Sequence, residues 1–129
     1  MDVNGYFASP ASGGNSLYTT LPCRILDTRE LPATPSPGTY NVNVQSSGCT
    51  LSPTASAYVL NATVVPSGVL GYLSLWPSGA TQPGVSTLNA TDGSITSNMA
   101  IVPTTDGAID AYATDGTQLI LDIASYFAP

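Results

Sequence analysis

The chain of 129 residues has no histidine, no lysine and two arginines, Arg24 and Arg29, against eight acidic residues. Nucleic-acid binding rests on neutralising phosphates with Lys and Arg, so a net charge of −6 argues against a nucleic-acid partner. The same shortage removes the basic patch that docks proteins on anionic membranes. No apolar run approaches the ~18 residues of a membrane span, so no membrane insertion is expected. Without His or Lys, the Ser-His-Asp, Cys-His and Ser-Lys arrangements cannot be assembled. A Lys–Asn isopeptide cross-link is equally impossible. A carboxylate pair for glycoside cleavage could be drawn from Asp2, Asp27, Glu30, Asp92, Asp106, Asp110, Asp115 and Asp122. Turns account for Asp92, Asp106 and Asp115, and Asp122 lies in an apolar run, so the chain is not expected to be an enzyme. Two cysteines without histidine cannot complete an ordinary zinc site. The nearest calcium-ligand pair, Asp106 and Asp110, lacks a dense acidic loop around it, and no metal or other cofactor is expected.

Charged residues make up only 8% of the chain and hydrophobic residues 43%. Ser, Thr, Asn and Gln carry the polar side, and with 12 Gly and 11 Pro they suit strands and turns. Cys23 and Cys49 have two readings. As a disulfide they close a loop worth about 3.5 kcal/mol in the chain-entropy model; otherwise they are buried thiols. An extracellular composition favours the disulfide. The opening Met1-Asp2-Val3-Asn4-Gly5 lacks the basic-then-apolar pattern of a signal peptide. If exported, the chain is expected to be a mature form or an excised piece.

Short apolar runs bounded by turn residues predict strands at Val3–Phe7, Leu17–Leu21, Cys23–Thr28, Tyr40–Gln45, Ala57–Val65, Val69–Trp76, Val85–Asn89, Ile95–Val102, Ala108–Ala113 and Gln118–Phe127. Asp-Gly at 92-93, 106-107 and 115-116 supplies the positive-φ residues of tight hairpins. The expected fold is all-β, an antiparallel β-sandwich or barrel of about 10 strands. The alternative is a pseudo-threefold trefoil-like or prism-like arrangement. Alternation in the last strand puts Leu119, Leu121, Ile123 and Phe127 on one face, and Ile120, Ala124 and Tyr126 on the other.

Two repeats bear on organisation. Asp2-Val3-Asn4-Gly5-Tyr6-Phe7-Ala8 matches Asp122-Ile123-Ala124-Ser125-Tyr126-Phe127-Ala128 at a separation of 120 residues. Residues 1–8 therefore read as a strand equivalent to the end of a preceding repeat, and residues 9–129 as a single all-β domain. Val3, Tyr6, Phe7, Ile123, Tyr126 and Phe127 form the candidate assembly strands. A weaker repeat relates Asn61-Ala62-Thr63-Val64-Val65-Pro66 to Asn98-Met99-Ala100-Ile101-Val102-Pro103, 37 residues on.

Both arginines lie in Pro22-Cys23-Arg24-Ile25-Leu26-Asp27-Thr28-Arg29-Glu30. Alternation sets Asp27 beside Cys23 and Ile25, pointing inward, with Arg24 on the opposite face. A buried carboxylate needs charged or backbone donors, so Arg24, Asp27 and Arg29 read as a structural ion cluster; an arginine site for an anionic sugar or carboxylate terminus is the functional alternative. Trp76, with Tyr72 four positions back on the same face, is a candidate glycan platform. Asn61 and Asn89 begin Asn-x-Thr sequons, although Asn61, in mid-strand, is expected to point inward.

The segment Pro22 to Arg29 resembles a module of secreted and surface-attached bacterial proteins, built around Pro-Cys-Arg-[Ile/Leu]-Leu-Asp-Thr-Arg. Leu60 to Thr63, Gly71-Tyr72-Leu73, Pro77-Ser78-Gly79, Ser86 to Asn89, Asn98 with Ile101-Val102-Pro103, and Asp122-Ile123 to Tyr126-Phe127 continue the pattern. Ser125 departs from the usual Gly before Tyr-Phe, which Gly5 keeps. The resemblance spans nearly the whole chain. It implies a secreted or cell-surface location and occurrence in series, and no activity. The expectation is a non-catalytic extracellular structural or adhesive module that associates with copies of itself through its terminal strands, as a tandem array or filament. The alternative is a carbohydrate-binding module for cell-surface or extracellular glycan.

Overall fold

The computed structural model describes residues 3, 5–9, 13–31 and 37–129. It is all-β, with two antiparallel sheets of four strands and one single-turn 3₁₀ helix at Thr28–Glu30. The strands are β1 (Ser16–Asp27), β2 (Gly38–Asn43), β3 (Ala57–Pro66), β4 (Leu70–Pro77), β5 (Leu88–Ala90), β6 (Thr96–Pro103), β7 (Ala108–Ala113) and β8 (Thr117–Ala128). One sheet runs β1-β8-β3-β6 and the other β2-β7-β4-β5. Eight strands replace the expected ten for two reasons. Leu17–Leu21 and Cys23–Thr28 merge into β1, and residues 3 and 5–9 form no strand.

Alternation explains the core. In β3, Tyr58, Leu60, Ala62 and Val64 point inward. Leu73 and Leu75 of β4, Ile109 and Ala111 of β7, and Leu119, Leu121 and Ile123 of β8 meet them from both sheets. Every connection except β4–β5 passes from one sheet to the other. The three Asp-Gly pairs therefore sit in crossings between sheets and not in hairpins. Gly93 and Gly107 take positive φ, Gly116 does not, and among the described residues no non-glycine residue does. The aspartates instead bind turn amides, Asp92 that of Ser94 (3.0 Å) and Asp106 that of Ala108 (3.0 Å).

The 37-residue repeat becomes a twofold relation. β3 pairs with β6, placing Asn61 opposite Met99 and Ala62 opposite Asn98. The strands that follow each copy, β4 and β7, pair in the other sheet. Two paired units in two sheets stand where a threefold arrangement would need three. The chain also enters and leaves at one pole, because Ser16 is the register partner of Ala128.

Bulges overturn the simple parity. Both ladders of β8 shift between Ile123 and Ser125, leaving Ala124 unpaired. Beyond it, Tyr126 turns inward with Ile123, and Phe127 turns outward with Ile120. The single face assigned to Leu119, Leu121, Ile123 and Phe127 therefore breaks at Ala124.

Candidate functional site

Cys23 and Cys49 form a disulfide, with Cα atoms 5.9 Å apart, tying β1 to the loop after β2. Immediately beside it lies the ion cluster. A second bulge, between Arg24 and Leu26, rotates β1 so that Arg24 and Asp27 share the outer face with their register partners Asp122 and Ile120. Asp27 thus does not point inward with Ile25. It is buried on the outer face, its side chain only 2% exposed. Arg29 gives it a two-pronged contact, Nε to Oδ1 at 2.8 Å and an amino group to Oδ2 at 2.6 Å, and its backbone N–H adds a third bond at 3.1 Å. Arg24 donates to the same Oδ2 at 3.0 Å, and grips Asp122 through two further bonds at 2.8 and 3.3 Å.

The hydrogen bonds from Arg29 hold the Asp27 carboxyl at about 2, below its ordinary value, against the opposing effect of burial. Arg24 is raised, chiefly by its bond to Asp122. Thr28 closes the arrangement, donating to Gln118 Oε1 at 2.7 Å and accepting from the Leu119 amide at 2.9 Å. Both guanidinium groups already hold carboxylates, as a structural cluster requires. Asp122 is the member that local alternation misses, because it reaches Arg24 from a strand 98 residues away. The only sequence signal for it was an acidic residue inside an otherwise apolar run.

The candidate assembly residues fall into two opposite environments. In β8, Ile123 is fully buried, Tyr126 stacks on Tyr18 with ring centroids 5.6 Å apart, and the Phe127 carbonyl accepts from the Ser56 amide at 2.8 Å. Their counterparts near the N-terminus touch little: Val3 is 84% exposed, Tyr6 89% and Phe7 98%. Three large apolar side chains in water within five residues form a surface that favours burial.

The aromatic platform is not open at Trp76. The β4–β5 connection folds back across β4, and the Trp76 indole N–H donates to the Ala80 carbonyl at 3.0 Å. Thr87 Oγ1 accepts from the Leu75 amide at 3.0 Å, and the Val85 carbonyl accepts from Ser74 Oγ. Trp76 is 5% exposed as a result, so its ring face cannot carry a sugar. Tyr72 remains half-buried on the outer face, beside Tyr112 at 5.8 Å. Tyr112 belongs to another strand and was not singled out by spacing along β4. Nearby, Asn41 donates to Asp110 at 2.8 Å and to Ser78 at 3.0 Å. Asn61 points outward, contrary to the expectation from its mid-strand position, because β3 buries its even-numbered residues; its amide donates to Thr63 Oγ1 at 3.2 Å. Asn89 is exposed and donates to the Gly71 carbonyl at 2.7 Å.

Among the described residues no helix is long and apolar enough to cross a membrane. No protein-family model matches the chain, and no curated protein or solved structure matches it significantly.

Proposed function

We propose that the chain is a non-catalytic, secreted or cell-surface structural module that associates with copies of itself through its terminal strands. One observation carries this reading. The Tyr-Phe segment that is woven into β8 at 123–127 recurs at 3–7 with its apolar side chains in water. Burying such side chains stabilises by about 1.5–3 kcal/mol each, which favours association. The segment has the composition of a strand that completes the sheet of another unit, where that unit's own 122–128 sits or beside it. Units linked in one polypeptide or carried on separate chains would serve equally, in the manner of strand addition.

The disulfide fits an oxidising compartment. A non-catalytic role agrees with how the carboxylates are used. Asp27 and Asp122 are held by arginines, Asp92 and Asp106 by amides two residues on, Asp115 by the Gly71 amide of β4, and Asp110 by Asn41.

Removing residues 1–8 and measuring mass by light scattering tests the reading. Association should be lost while the β fold is kept; unchanged association would refute it. Glycan binding is the second reading, and with Trp76 enclosed it rests on the Tyr72–Tyr112 pair. Saturable binding on a glycan array, abolished by Tyr112→Ala, would favour it over assembly.

A further inference from the structure

β1 is an edge strand, with β8 on one side and no described strand on the other. Its first half also carries an unusual load for an open edge. Leu17 and Tyr18 are exposed, and Leu21 is 86% exposed. Natural edges are normally blunted by charge, proline, bulges or shortness; before Arg24 this edge carries no charge, only Pro22 and the register shift between Thr19 and Cys23.

We infer that this edge is the acceptor for residues 3–8 of a second copy, which pair antiparallel to Ser16–Leu21. The inference rests on the self-association reading above and names its contact. One register satisfies every exposed apolar side chain on both partners. With Phe7 opposite Leu17, the antiparallel count brings Tyr6 opposite Tyr18 and Val3 opposite Leu21. Cross-strand apolar and aromatic pairs of this kind are the stabilising unit of a sheet.

The same stretch of β1 already accepts this residue pattern from its other side. There Phe127 faces Leu17, Tyr126 faces Tyr18 and Ser125 faces Thr19. The added strand would extend these rows, so that β1 lies between two versions of one strand, with Gly5 taking the place of Ser125. Addition at the open edge also has an advantage over exchange into the β8 position. Exchange evicts an equivalent strand and recovers no more than it loses, whereas edge addition loses no existing ladder.

The arrangement sets the stoichiometry. The segment leaves the fold just before Ser16, at the pole where the acceptor edge begins, so two copies can each supply the other. A reciprocal contact is isologous and closes as a dimer.

Disulfide trapping tests the contact, since a disulfide closes only when Cα atoms lie within about 7 Å. Gly5→Cys leaves Tyr6 and Phe7 intact and, in this register, lies opposite Thr19. Gly5→Cys protein mixed separately with Thr19→Cys, Val59→Cys or Ser97→Cys protein and oxidised should give a covalent heterodimer with Thr19→Cys alone. A product with Val59→Cys would mean exchange into the β8 position, since Val59 flanks Ser125 from β3. One with Ser97→Cys would place the segment on β6. Either overturns the β1 edge as acceptor while self-association stands, as does association by light scattering without any of the three products. Loss of association itself, with unmodified protein monomeric at every concentration, sinks the underlying reading instead.

Discussion

Asp27 shows how one side chain can organise a surface that has almost no cations. Its carboxylate is nearly inaccessible between two guanidinium groups that are each about half exposed, so the acid is buried while its partners stay hydrated. A folded value of about 2 lies below the ordinary aspartate value of 3.8. The stabilisation is therefore fully present above about pH 4 and is lost as the pH falls towards 2. Asp92 and Asp115 are lowered as well, by the amides of Ser94 and Gly71, and act in the same direction. Urea midpoints measured from pH 5 to pH 2 should fall, and Asp27→Asn should start lower and fall less steeply. At Trp76 the expectation is structural: Trp76→Ala should lower stability by about 3–5 kcal/mol, as for other buried aromatics. Equilibrium denaturation of that variant checks it.

Strands and turns carry the next level of constraint. Gly107 has φ of +83°, and a Cβ there would lie 2.5 Å from Gln45 Cγ. Its carbonyl accepts from the amides of Val44 and Gln45, while Gln45 donates to the Ser52 carbonyl and Tyr58 hydroxyl. Gly107→Ala should cost about 2 kcal/mol from backbone conformation alone, and a thermal melt reads the loss. Asp-Gly pairs could be recognised as turns because Gly is the residue that tolerates this conformation. That they join different sheets was not legible, since turn chemistry is local and pairing is not. The bulges at Ala124 and between Arg24 and Leu26 escaped for a related reason. A period of two predicts faces only while the ladder stays in step.

Across the whole molecule, the first and last strands pair and so hold both ends of the domain together. The Cys23–Cys49 bridge adds a second long-range tie, and reducing it should lower stability by about 3.5 kcal/mol if chain entropy dominates. Denaturation with and without reductant measures this. Residues 3 and 5–8 stand outside these ties, so deleting 1–8 should change the stability of the isolated domain by no more than about 0.5 kcal/mol, even though it removes association.

All-β character, the disulfide partners and the repeated terminal segment could be read directly from residue order, because composition, turn residues and short-range alternation act within a few positions along the chain. Which strands lie side by side emerged only on folding. So did Asp122 as the second carboxylate of Arg24, the enclosure of Trp76 and the open edge of β1. Each depends on segments far apart in the chain meeting through one core, and on small register shifts that decide which side chains face it.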